Sequence, residues 1–92
     1  MSYITLKSNK NKSRQIIIKS GVSRILVNPT ENRIKDLKIH FISDNGKIHD
    51  IMVIHPIDIY SGINEFNVWK YSKFYFTFEY LTNDEKIIYS VI

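Results

Sequence analysis

Strict alternation on either side of one dipeptide, Asn45-Gly46, constrains this chain more than any other feature. Leu37, Ile39 and Phe41 alternate with Lys38, His40 and Ile42; the run then reaches Asp44-Asn45-Gly46-Lys47, and Ile48 opens a new apolar stretch. A period of two is the signature of a half-buried strand, and Asn-Gly is the preferred pair for a two-residue type I′ hairpin turn. The turn fixes a register with Ser43 opposite Ile48, Phe41 opposite Asp50, Ile39 opposite Met52 and Leu37 opposite Ile54. One face then carries Leu37, Ile39, Phe41, Ile48, Met52 and Ile54, broken by Asp50, and is the expected core face. The other carries Lys38, His40, Ile42, His49, Ile51, Val53 and His55. A slip of one residue would exchange the two faces, so this register is strongly specified.

Composition extends the bias toward strands. The chain holds seventeen isoleucines, eight asparagines and no alanine. It therefore lacks the best helix former and is rich in a β-branched residue suited to a pleated sheet. Tyr3 to Lys7 reads as a short strand and Gln15 to Ser20 as a second, with a polar, basic segment between them that predicts a hairpin with a long loop. Gly21 breaks the pattern, Val22 to Val27 resumes it, and Asn28-Pro29 ends it. Thr30 to Asp36 has room for one helical turn capped by Thr30. His55-Pro56 ends the hairpin's second strand, because proline cannot donate to a ladder. Ile57 to Trp69 is the least readable part, with a turn expected at Ser61-Gly62. Tyr71 to Leu81 alternates strongly, with Phe74, Phe76, Phe78 and Tyr80 expected on one side. Thr82 to Glu85 forms a loop and Lys86 to Ile92 the return strand. About seven short strands in a single domain, residues 1–92, predict an all-β fold: a small antiparallel β-sandwich of immunoglobulin-like type, or a small closed barrel.

The same residues exclude much chemistry. Ninety-two residues suffice for one compact core, and the absence of cysteine removes disulfides, thiolate nucleophiles and cysteine-based metal sites. The longest apolar run, Ile51 to Ile54, is far too short to span a membrane, and Met1 to Asn11 contains no signal-peptide core, so a soluble, cytoplasmic protein is expected. His40, His49 and His55, with Asp58 or Asp36, match no metal spacing. No serine sits in a nucleophile elbow, Asp84-Glu85 fall in a loop, and Gly21, Gly46 and Gly62 are too scattered to cradle a phosphate. No enzyme, cofactor, metal or small-molecule substrate is expected. The aromatic strand from Ser72 to Tyr80 fails the RNA-recognition-motif signature, because Lys73 and Tyr75 stand where that motif needs glycines.

Charge is distributed unevenly. Residues 1–38 carry nine basic and two acidic side chains, a net +7, whereas residues 39–92 carry four basic and seven acidic, a net −3. Between Lys7 and Arg24 there are six cations and no anion. Such a field draws in phosphate backbones or acidic protein surfaces. The expected partner-binding residues are Lys7, Lys10, Lys12, Arg14, Lys19 and Arg24, carried on an outward-reaching hairpin loop, with Trp69, Tyr71 and Tyr75 as aromatic anchors.

In its size, basic end and absence of motifs the chain resembles, as a type, the small phage-encoded inhibitors of bacterial defence, including anti-CRISPR proteins. The resemblance implies a viral protein that acts in the host cytosol by blocking a nucleoprotein or nuclease complex, with a host protein or protein–RNA complex, or RNA itself, as partner. The alternative is a structural or adhesive β-sandwich module of a viral particle or larger assembly. The start at Met1 and the lack of a linker or tail count against a module.

Overall fold

A computed structural model of the chain describes residues 2–28, 34–43, 45, 52–53, 64–68 and 70–92. Among the described residues there are eight strands and no helix: β1 (Ser2–Leu6), β2 (Ile16–Ile17), β3 (Arg24–Val27), β4 (Lys38–Ser43), β5 (Met52–Val53), β6 (Asn64–Asn67), β7 (Tyr71–Thr77) and β8 (Glu85–Val91). They form two antiparallel four-stranded sheets, ordered β1-β8-β3-β6 and β2-β7-β4-β5. Among the described residues the sheets share no strand and do not close, which overturns the barrel. Among the described residues no helix is long and apolar enough to cross a membrane.

The central expectation holds where it is described: Ile39 pairs with Met52 and Lys38 with Val53, the register that a two-residue turn at Asn45-Gly46 dictates. Asn45 lies in a turn, while Gly46, Asp50, His49 and His55 fall outside the described residues, as do most of the Thr30–Asp36 segment and Ser61-Gly62.

Two other expected hairpins are absent. Of the seven connections between successive described strands, only β4–β5 joins neighbours within one sheet; every other connection passes from one sheet to the other. β1 pairs with β8 rather than β2, and β2 pairs with β7. β7 pairs with β4, so β7 and β8 do not form a hairpin across Thr82–Glu85 either. The reason is burial: both β1 and β7 have an apolar row that must face a shared interior, and crossing between sheets covers both rows at once. β6, which alternation does not reveal, pairs with β3 at the far side of the first sheet.

The interior is one cluster drawn from both sheets: Ile4, Leu6, Ile25, Val27, Ile87 and Tyr89 from the first, Ile16, Ile39, Phe41, Phe74 and Phe76 from the second. Phe74 is the hub. Its ring lies 6.3 Å from Phe41, 5.9 Å from Phe76 and 5.6 Å from Tyr89, the last two edge-on, the arrangement that ring quadrupoles favour. Phe78 is buried as expected, but Tyr80 is exposed. The ladder ends at Thr77, so parity along the strand no longer fixes direction beyond it.

Gly21 is the one described glycine whose backbone requires it. Its φ of 91° lies in the left-handed region, in a turn closed by the Val22 N–H donating to the Lys19 carbonyl at 3.3 Å.

Truncating Phe74 to Ala removes the ring that links the sheets. The expected cost is roughly 3–5 kcal/mol, most of what a domain this small has, so the variant should be largely unfolded in urea concentrations that leave the parent native.

Candidate functional site

The basic segment is a strap. From Lys7 it turns through residues 8 and 9, closed by the Lys10 N–H donating to the Lys7 carbonyl at 3.2 Å. It then runs antiparallel along β7. The Phe78 N–H donates to the Asn11 carbonyl (3.0 Å), Lys12 bridges to Thr77, the Ser13 N–H donates to the Phe76 carbonyl (2.9 Å), and the Phe76 N–H donates to Ser13 Oγ (2.8 Å). Ile16 and Ile17 continue the pairing as β2, and Ile18 N–H reaches the Ser72 carbonyl at 2.8 Å. An outward-reaching hairpin loop is therefore not what the fold builds. Backbone bonds at Asn11 and Ser13 hold the strap in place, and cations occupy the positions between and beside them.

Acids from distant parts of the chain neutralise both ends of this segment. Asp84, in the β7–β8 connection, accepts the Ser8 N–H at 2.8 Å and the Lys7 ammonium at 3.5 Å. The Ser8 bond first, and the Lys7 charge after it, hold the Asp84 carboxyl below the ordinary carboxylate range. Arg24 pairs with Glu65 of the neighbouring strand β6. Among the described residues no acid pairs with Lys10, Lys12, Arg14 or Lys19.

Strap and sheet edge together enclose an open cleft of about 940 Å³. Tyr3, Ile4 and Thr5 of β1 form one wall, the strap from Lys7 to Arg14 except Ser8 forms the other, and Tyr80 completes it. β1 is the edge of its sheet and β2, which the strap leads into, is the edge of the other. Among the described residues the lining holds four cations and no acidic side chain.

Of the expected site residues, Lys7, Lys10, Lys12 and Arg14 therefore come together, while Lys19 and Arg24 lie outside the cleft. Tyr71 is half-buried and stacked on Phe41 at 4.8 Å. Tyr75 is buried on the strap's side of β7, lying parallel to the His40 ring at 4.7 Å with the Lys12 ammonium 4.7 Å from its centroid. Its role in the fold is to hold Lys12 by a cation–π contact, worth roughly 0.5–1 kcal/mol at an exposed position. Trp69 falls outside the described residues. Sequence reasoning missed Tyr3 and Tyr80, 59% and 67% exposed, at the cleft wall. Their only signal is aromatic character near a basic segment, and the phenylalanine row that precedes Tyr80 hides even that.

His40 shares a hydrogen bond with the Thr77 hydroxyl at 2.7 Å. Burial, then the charges of Lys38 and Lys12, push its pKa below the ordinary 6.5. Among the described residues no three His, Asp or Glu side chains gather to hold a metal. Asp36 is turned to Lys38 at 3.4 Å, and His49, His55 and Asp58 lie outside the described residues.

Compared with protein-family models, curated proteins and solved structures, the chain matches none.

Two outcomes are expected. Asp84→Ala should speed hydrogen exchange at the Ser8 amide and leave the Ser13 amide protected, as amide exchange followed by NMR will read. Stability should be full above the unfolded histidine value of 6.5 and decline as pH falls below it, because the unfolded chain takes up a proton that folded His40 resists. Urea midpoints measured between about pH 7.5 and 5.5 should show a shallower slope for His40→Gln than for the parent.

Proposed function

We propose that this chain is a non-enzymatic binding protein that occupies a site on a host nucleoprotein or nuclease complex, in the manner of the anti-CRISPR inhibitors it resembles in type. In this reading it acts in the host cytoplasm and needs no cofactor. The observation that carries it is the cleft whose described lining holds Lys7, Lys10, Lys12 and Arg14 and no acid, on a strap anchored to β7. A rigid presentation of cations loses little conformational freedom on binding, and the surrounding positive field speeds encounter with a phosphate-bearing partner. We further propose that the two sheets pack face to face as a β-sandwich of immunoglobulin-like type, a reading supported by the single core drawn from both.

One observation favours the other reading, a structural or adhesive module. Ile17 is 72% exposed on edge strand β2, a row where a second copy can pair. Concentration-dependent self-association in sedimentation experiments, abolished in Ile17→Lys, would support that reading over inhibition.

The test of the binding reading replaces Lys10, Lys12 and Arg14 together with Ser. The parent should capture a nucleic-acid-containing complex from an extract of its host at about 50 mM salt and release much of it by about 200 mM. The triple variant should capture little at either, with its melting temperature lowered by only a few degrees, because exposed charges contribute little to stability and the Lys12–Tyr75 contact is the one packing interaction lost. Equal capture by both proteins would end the proposal.

A further inference from the structure

We infer that the cleft between β1 and the strap takes up single-stranded nucleic acid, its bases stacked on Tyr3 and Tyr80 and its phosphates met by Lys10 and Arg14. The inference rests on the binding reading above and names its ligand class.

Three observations carry it. Tyr3 and Tyr80 are the two most exposed aromatic side chains described, and both lie on the wall of the same cleft. Each comes from a different sheet's neighbourhood, Tyr3 from β1 and Tyr80 from the segment that follows β7, so the fold itself brings both residues to one cleft. Lys86 sits over one face of the Tyr3 ring at 4.6 Å, which adds a cation beside a stacking surface. A base has a π-face whatever its sequence, and a ring in a positively charged groove is how single strands are held without sequence preference.

The second observation is charge. Among the described residues no acid partners Lys10, Lys12 or Arg14, and none lines the cleft. Asp84, which pairs with Lys7, does not itself line the cleft. The third is what stands between the cations. Asn9 and Asn11 alternate with them along the strap and line the cleft, each carrying an amide able to donate and to accept.

The shape favours a single strand over a duplex. A duplex keeps its base faces inside its own stack and would leave both tyrosine rings facing water. A cleft of about 940 Å³ is also concave, suited to a flexible strand that enters it rather than to a rigid cylinder laid across it. An acidic protein surface would satisfy the cations but leave the two rings without a stacking partner.

The experiment measures fluorescence anisotropy with a labelled oligouridylate of about 12 nucleotides, its duplex with the complementary strand, and heparin as competitor. The proteins are the parent, Tyr3→Leu, Tyr80→Leu, the two Tyr→Phe variants and the Lys10/Lys12/Arg14→Ser triple. The parent should prefer the single strand. Each Tyr→Leu change should weaken it by roughly 5- to 150-fold with the salt slope unchanged, and each Tyr→Phe should restore it, because stacking needs the ring and not the hydroxyl. The triple variant should instead lower the salt slope by about 0.7 for each phosphate that is no longer neutralised. Leu variants that bind as tightly as the parent, or a duplex or heparin bound as tightly as the single strand, would overturn stacking and leave a general polyanion surface, with the binding reading intact. No binding to any nucleic acid at low salt, while the complex captured from the host extract is retained, would overturn the inference in favour of a protein partner. Failure of the parent to hold either the oligonucleotide or a complex from the extract would overturn the binding reading itself.

Discussion

The edge-on contact of Phe74 with Tyr89 ties the two sheets together, and the rest of the molecule is arranged around it. Phe74 belongs to β7 and Tyr89 to β8, consecutive strands that pair with different partners in different sheets. Once Phe74 faces the interior, Tyr75 must face away from it. There it stacks on His40 and receives Lys12, so the packing of the core and the placing of a candidate binding cation are two faces of one strand. The strap depends on the same strand, since Ile16 pairs with Phe74 itself and Ser13 bonds to Phe76 through both its backbone and its hydroxyl.

Electrostatics follow from this topology. Along the chain the segment from Lys7 to Arg24 has no anion, but the fold supplies Asp84 at one end and Glu65 at the other, 77 and 41 residues away. Both acids sit on elements placed beside the segment by crossings between sheets. They neutralise the ends and leave the middle charged, so the linear excess of cations becomes a local one.

What was legible in the sequence was what short-range periodicity encodes. Alternation through Leu37, Ile39 and Phe41 places those residues in the core, and the Ile39–Met52 pairing agrees with the Asn45-Gly46 turn. Alternation through Phe74, Phe76 and Phe78 does the same. Strand partners were not legible. Proximity in sequence predicts hairpins for β1–β2 and β7–β8, whereas both pairs are split between sheets because burying two apolar rows outweighs a short connection. β6 is hidden for want of alternation: its four pairs, from Arg24 with Asn67 to Val27 with Asn64, all depend on β3. The candidate site was half legible. Its cations are close together in the chain, but Tyr3 and Tyr80 meet them only through the pairing of β1 with β8 and of the strap with β7.

The order β1-β8-β3-β6 also bears on how the protein is made. β8 lies between β1 and β3, with Tyr3 paired to Ile88 and Val27 to Tyr89, so neither early strand has this neighbour until the eighth strand has been synthesised. At about 5–20 residues per second, the ribosome takes roughly 3 to 13 s to travel from Val27 to Val91. Throughout that interval Ile4, Leu6, Ile25 and Val27 belong to a nascent chain that cannot yet bury them. The basic, asparagine-rich segment between β1 and β2 keeps that waiting chain charged and poorly suited to pairing with other copies, a protection against aggregation during synthesis that acts before any binding site exists.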